Sequence, residues 1–138
     1  MIYVRDILRI CNGTLLCGNK NIKCNDFTND TRTLKDGDVF IGIKGENFDG
    51  NTFYKDAIKK GAKVCILDNP DVVKGKSNGT IIIVEDTIKA IQELAKYKRS
   101  LYDIPVIAVT GSVGKTSVKD MVFAVVNSQF KTLSTKVI

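Results

Sequence analysis

The stretch IAVTGSVGKTSVKDMV, residues 107–122, decides how this chain is read. Residues 106–109 spell V-I-A-V, an apolar run of the kind found in strands buried on both faces. Pro105 stands just before it, where a missing N–H is tolerated. Past Lys115 the pattern changes. Val118, Met121, Val122, Val125 and Val126 recur at three- and four-residue steps, which predicts a helical face. The segment T-G-S-V-G-K-T-S is therefore expected to join a strand to a helix N-terminus. Such an end carries unpaired N–H groups and partial positive charge, and it suits a phosphate. Gly111 and Gly114 let the backbone turn tightly and approach an anion closely. Lys115 supplies a charge for β- and γ-phosphates, and the Thr116 hydroxyl can ligate Mg²⁺. The expected nucleotide-binding set is Gly111, Ser112, Val113, Gly114, Lys115, Thr116 and Ser117, with Lys115 and Thr116 as its catalytic members.

The match to the phosphate-loop pattern G-x-x-x-x-G-K-S/T is incomplete. Its first glycine falls on Val109, while Gly114-Lys115-Thr116 is intact. The alternative is a glycine-rich strand–helix turn with a solvated lysine. Strand, G-K-T and helix in the right order favour the phosphate.

Around this segment, composition sets the bounds. The chain has 138 residues, 43% hydrophobic and 26% charged, as in globular domains with a real core. No apolar run is long enough to span a bilayer, and Arg5, Asp6 and Arg9 interrupt the N-terminus, so a signal peptide is not expected. A cytoplasmic location is the expectation. The chain holds no histidine, which removes Ser–His and Cys–His catalysis. Four cysteines, Cys11, Cys17, Cys24 and Cys65, are scattered without C-x-x-C spacing. They read as reduced, half-buried thiols rather than as a zinc site. The net charge of +6 is spread along the chain. It is consistent with phosphorylated small molecules. Without a dense basic run interleaved with aromatics, no nucleic-acid partner is expected, and no membrane insertion.

Along the chain, residues 4–11 predict a short helix stopped by Asn12-Gly13. Residues 14–17 (TLLC) and 21–24 (NIKC) predict a hairpin around Gly18-Asn19. Residues 27–32 (FTNDTR) are expected to hold a strand ending in a polar turn, and strands are expected at 39–43, at 63–67 (KVCIL) and at 80–84 (TIIIV). A helix is expected over 53–60, capped by Asn51 or Thr52 and ended by Gly61, and another over 87–102. Strands alternating with helices make the class α/β. The boundary is expected at 101–105: a small mixed-sheet domain over 1–102, then the first strand, phosphate loop and helix of a P-loop ATPase domain over 103–138. One strand and one helix cannot bury a core, so the chain is expected to be the front of a longer protein.

Two polar loops stand out in the first domain, T-N-D-T-R at 28–32 and K-G-E-N-F-D-G-N-T-F at 44–53. Each follows an expected strand, so both can converge at one sheet end, where ligands tend to bind. Turns need the same residue types, which is the plainer reading. Arg32 can pair with Asp30 or Asp38, or meet a phosphate. Glu46 and Asp49 are carboxylates in range of general-base roles, but no acid–base pair is recognisable. Lys119 and Asp120 read as an exposed helix face.

The ordered set Asp30-Thr31-Arg32, Gly37-Asp38-Val39-Phe40, the loop 45–50, Lys60-Gly61-Ala62 and T-G-S-V-G-K-T resembles the start of a Mur ligase. The resemblance covers almost the whole chain and accounts for Val109, since the family loop reads T-G-x-x-G-K-T/S. It implies an ATP-dependent, amide-bond-forming enzyme of peptidoglycan synthesis that uses ATP and Mg²⁺. The branch it favours joins D-alanyl-D-alanine to UDP-N-acetylmuramoyl-tripeptide through an acyl phosphate. The first domain is then a UDP-substrate-binding domain. Asn29, Thr31 and Arg32 approach the UDP, and Glu46, Asn47 and Phe48 the uracil side. Two departures stand out. Asn51 occupies a position where many relatives have histidine. The end, FKTLSTKVI, lacks an asparagine-rich segment, and the parts implied to hold the Mg²⁺ carboxylates and the amino-acid site are missing, so the chain alone is expected to be inactive. The alternatives are a ligase adding the third amino acid of the peptide, a non-catalytic UDP-sugar-binding module and, on weaker grounds, a P-loop GTPase or kinase.

Overall fold

Val39–Ile41, Val64–Leu67 and Thr80–Ile83 are short runs dominated by β-branched and apolar side chains, and nearly every residue in them is buried. Such runs suit strands covered on both faces. The computed structural model describes residues 2–136 and shows that arrangement. Two compact units are present, Met1–Tyr102 and Asp103–Ile138.

The first unit contains β1 (Ile2–Tyr3), α1 (Val4–Ile10), β2 (Thr14–Cys17), β3 (Lys23–Cys24), β4 (Phe27–Thr28), β5 (Val39–Ile41), α2 (Tyr54–Lys59), β6 (Val64–Leu67), β7 (Thr80–Ile83) and α3 (Thr87–Ser100). Five strands form one sheet in the order β2-β7-β6-β5-β4. The pairs β4–β5, β5–β6 and β6–β7 are parallel, and β2 joins β7 antiparallel. The sheet is therefore mixed.

Side chains alternate across it with period two. Val39, Ile41, Val64, Ile66 and Ile82 face one side, where Val4 and Ile7 of α1 and Ala90 and Leu94 of α3 cover them. Phe40, Cys65, Leu67 and Ile81 face the other, against Tyr54 and Ala57 of α2. All four cysteines are free thiols. Burial pushes Cys11 and Cys24 up to about 11 and Cys65 up to about 12.

Three sequence expectations are corrected here. Residues 14–17 and 21–24 do not pair as a hairpin: β2 pairs with β7, and β3 pairs with β1. Gly18 has φ +99° and sits so close to Thr80 that a Cβ would lie 2.2 Å from its Oγ1. The next amide, Asn19 N–H, donates to the same Oγ1 at 3.1 Å. The turn residues thus tie β2 to β7, whose Ile81 and Ile82 are fully buried.

The helix over 53–60 is α2, and its cap is neither Asn51 nor Thr52. A 3₁₀ turn, Gly50–Phe53, precedes it, capped by Asp49, whose carboxylate accepts from Asn51 N–H at 2.9 Å. The carboxylate wins because Asn51 is turned inward.

Residues 106–109 form no strand. In the second unit the regular element is α4 (Lys115–Asn127), and Val106 and Ile107 are 65% and 63% exposed. A strand exists only by pairing, and the described residues of that unit offer no partner strand. The last two residues of FKTLSTKVI lie outside the described residues. Among the described residues no helix is long and apolar enough to cross a membrane.

Candidate functional site

Four parallel strands end at one edge of the first unit's sheet, so the segments that follow them share that edge. β4 leads into residues 29–33, β5 into 42–53, β6 into Asp68-Asn69 and β7 into 84–86. The two polar loops singled out in the sequence therefore leave neighbouring strands in the same direction.

The loop after β4 is closed by its own side chains. Thr28 Oγ1 and Thr33 Oγ1 lie 3.0 Å apart, and Asp30 N–H donates to Thr28 Oγ1 at 3.1 Å. Asp30 accepts from Arg32 N–H at 2.9 Å, from Nε at 2.9 and 3.1 Å, and from Nη2 at 2.7 Å. The pair is bidentate and exposed, and the Arg32 hydrogen bonds hold the Asp30 carboxyl down at about 2. Of the two partners the sequence offered Arg32, the structure selects Asp30. Asp38 is instead buried and caps the 35–38 turn, accepting from Lys35 N–H at 2.9 Å. Asp56 of α2 lies under this loop. Lys60, at 3.0 Å, holds its carboxyl below the ordinary value, and the Thr31 hydroxyl assists. Asn29 is exposed and Thr31 half-buried.

The loop after β5 is a tight reversal. Gly45 N–H donates to the Phe48 carbonyl at 2.9 Å, and Lys44 bridges antiparallel to Asp49. Gly50 N–H donates to the Ile43 carbonyl at 2.9 Å, and a Cβ on Gly50 would lie 2.3 Å from that oxygen. Only glycine permits this approach. Glu46, Asn47 and Phe48 are all exposed at the tip. Phe48, 64% exposed, meets the edge of Phe53 with ring centroids 6.0 Å apart. An exposed aromatic beside polar tips offers a stacking face next to hydrogen-bonding groups.

Asn51 sits at the base of this loop, fully buried. The sequence marked it as a departure without finding its role. Its partners, Asp49, Asp68 and Asn69, hold it from three directions. The only sequence signal for this was an amide side chain following Asp-Gly.

In the second unit, Gly114 is the N-cap of α4 with φ +76°, and no side chain caps that helix. Gly111 has φ +155°. Lys115 folds back so that Nζ donates to the Gly111 carbonyl at 2.6 Å, which closes the loop on itself. Ser112, Val113, Lys115, Thr116 and Ser117 are exposed. The first-turn amides of α4 have no helical partner of their own, and the space beside the Gly114 Cα is open. These groups fit a phosphate ester and, through the Thr116 hydroxyl, a hard cation. Among the described residues no cluster of three or more Cys, Asp or Glu side chains is placed to hold a metal ion.

Comparison with known proteins adds the following. A family model described as "Mur ligase family, catalytic domain" matches residues 27–104. The chain is similar to the UDP-N-acetylmuramoyl-tripeptide–D-alanyl-D-alanine ligase of Synechocystis sp., with 39% identity over 92% of this chain and 28% of that one. It is 41% identical to the ligase of the same name from Bacillus subtilis, over 74% of this chain and 22% of the relative. Among solved structures it resembles the MurF ligase of Thermotoga maritima in complex with ADP, with TM-score 0.68 and 30% identity over 76% of this chain and 24% of that one. The chain thus spans about a quarter of the length of the curated relatives it matches.

Proposed function

The chain belongs to the Mur ligase family, and from that premise we propose that it serves an ATP-dependent ligase joining D-alanyl-D-alanine to UDP-N-acetylmuramoyl-tripeptide. The observation that carries this reading is the name shared by relatives at 39% and 41% identity, one of them aligned over 92% of this chain. The work is cytoplasmic, where ATP and the nucleotide-linked precursor are found. Residues 1–102 are the UDP-substrate-binding domain, and residues 103–138 contribute to the ATP-binding domain.

At the C-terminal edge of the sheet, Phe48 offers its ring to the uracil, and Glu46 and Asn47 offer polar atoms to the base edge. Asn29 and Thr31 approach the UDP. Arg32 has five donors, and Asp30 occupies the one on Nε and one of the two on Nη2. The remaining Nη1 donors suit the diphosphate. Asp30 thereby holds the guanidinium in one orientation before the ligand arrives.

In the phosphate loop, the backbone N–H groups of residues 111–117 cradle the nucleotide phosphates, and Thr116 holds Mg²⁺ through its hydroxyl. ATP supplies the phosphoryl group that activates the peptide carboxylate for attack by the incoming amine. Lys115 exchanges its contact with the Gly111 carbonyl for the phosphates and places a positive charge where charge builds up.

Calorimetric titration of this chain with UDP-N-acetylmuramoyl-tripeptide tests the reading. Saturable binding is expected, competed by UDP, and weakened about tenfold by Phe48→Ala because a stacking face is lost. Absence of binding by UDP and by the precursor sinks the assignment of this edge. Reaction with a single diamino acid in preference to D-alanyl-D-alanine, by a chain carrying the remaining ligase segments, sinks the choice of acceptor.

A further inference from the structure

Asn51 is 0% exposed, while Glu46, Asn47 and Phe48 of the same loop face solvent. An asparagine amide has two N–H donors and two acceptor lone pairs. All four are occupied inside the first unit. Nδ2 donates to Asp49 Oδ1 at 2.7 Å and to Asp68 Oδ1 at 2.8 Å. Oδ1 accepts from the backbone N–H groups of Asp68 at 3.0 Å and Asn69 at 3.4 Å. Asp68 carries the chain of bonds onward. Its Oδ2 accepts from Thr87 N–H at 3.3 Å and from Thr87 Oγ1 at 3.1 Å. Thr87 opens α3 and is 1% exposed. One continuous path thus runs from the β5–α2 loop, through the end of β6, to the start of α3.

We propose that Asn51 and Asp68 are positioning residues that set the form in which the 44–50 loop presents Glu46, Asn47 and Phe48 to ligand. Asn51 has no capacity left for a ligand contact of its own, so its effect on binding passes through the loop. The tip is tied by Gly45 N–H to the Phe48 carbonyl, by the Lys44–Asp49 bridge and by the contact of the Phe48 ring with Phe53, all within residues 44–53. The base is tied to the body of the domain by Asn51 and by the Gly50–Ile43 bond. A loop containing two glycines would otherwise sample many forms, and ordering it on binding would weaken affinity.

The consequence for affinity rests on the UDP-binding reading; the consequence for loop order does not. The test uses Asn51→Asp, Asp68→Asn and the double exchange. Asn51→Asp sets an acceptor against the Asp49 and Asp68 oxygens. Asp68→Asn sets a donor either against the Asn51 amide or against Thr87. In the double exchange the amide and carboxylate trade places, so their mutual bond can form again while the contact to Asp49 stays broken.

Amide hydrogen exchange at Gly45 and Gly50 is read alongside UDP affinity by calorimetry. Each single variant is expected to speed exchange at both glycines about tenfold and weaken UDP about tenfold, as loss of one or two buried bonds implies. The double exchange is expected to recover part of both, with β6 amides unchanged throughout. Thr87→Val, which removes only one donor, gives a milder version, about threefold, should a single variant fail to fold. Exchange and affinity unchanged in both single variants overturns the proposal. So does a uniform rise in exchange across the domain with no recovery in the double exchange, because that is a general loss of stability. A wild-type chain that fails to bind UDP while the glycines respond as described sinks the substrate reading and leaves the positioning role standing.

Discussion

Residues 64–67 spell V-C-I-L and residues 106–109 spell V-I-A-V, two runs of one character with opposite fates. The first is β6, paired on both sides and 0% exposed at every residue. The second has no regular structure, and its first two residues stand in solvent at 65% and 63%. Both have the β-branched, apolar composition that strands favour. What separates them is supply of partners. β6 lies between β5 and β7, and α1, α2 and α3 cover the sheet faces that its neighbours share. Strand propensity is a fit to a pleated, half-built surface, and it has no force where no surface exists.

The largest expected effect breaks the first member of this pair. Ile66 is fully buried in the central strand, within the cluster that α1 and α3 cover. Ile66→Ala removes three carbons and leaves a cavity that the neighbouring strands cannot close. A loss of about 3 kcal/mol in unfolding free energy is expected, read from a shifted urea midpoint at unchanged slope. A loss under about 1 kcal/mol would mean that the β6 environment collapses around the gap, and that the contrast with residues 106–109 is smaller than their burial implies.

Gly50→Ala comes next and sharpens the comparison at the loop that β5 feeds. The added methyl meets the Ile43 carbonyl at 2.3 Å, so the loop must swing off the strand end. About 2 kcal/mol of stability should go, through overpacking and the lost Gly50–Ile43 bond. UDP affinity should fall with it. Stability falling while affinity holds would show that the loop tip keeps its form without its base.

The strong elements were legible because their signals are local or periodic. The apolar runs at 39–43 and 80–84 needed no knowledge of partners. In the helix over 87–102 the expected apolar side, Ile88, Ile91, Leu94, Ala95 and Leu101, is met at Leu94 and partly at Ile91, while Ile88 and Leu101 stand 51% and 54% exposed and Ala90 is buried in their place. Gly18-Asn19 misled because a turn signal does not say which strand receives the chain: the receiver, β7, is about sixty residues away. The Asn51 network was hidden for the same reason, since Asp68 and Thr87 reach it from distant elements. Residues 28–33 were more readable. The Asp30–Arg32 pair spans two positions, and the structure forms it as one of the pairings the sequence offered.

That pair gives a smaller, pH-dependent effect. The folded Asp30 carboxyl is held at about 2, below its ordinary value of 3.8. A depressed carboxyl stabilises the folded form above the unfolded value and loses that contribution as pH falls through the folded one. The window is therefore from about pH 4 down to about pH 2. Following the Asp30 side-chain carbonyl carbon by NMR should show a midpoint near 2, with Arg32 Nε–H shifting in parallel. Arg32→Lys, which cannot form the bidentate contact, should raise that midpoint toward the ordinary value. An Asp30 midpoint near 4 in the wild-type chain would mean the exposed pair is not formed in solution.

The smallest effect belongs to the second run. Ile107→Ala removes as many carbons as Ile66→Ala, from a residue that is 63% exposed. Little transfer free energy is lost, because much of the side chain is in water before and after the change. No cavity forms, so the second term that makes core truncations severe is missing. The expected change is within about 0.5 kcal/mol, as for surface substitutions in general. The same denaturant series that reports Ile66→Ala measures it. The informative result is the ratio between two chemically identical truncations, not either value alone. If Ile107→Ala costs as much as 1 kcal/mol, the side chain is packed against something in solution, and residues 106–109 are closer to the strand their composition suggests than their exposure indicates.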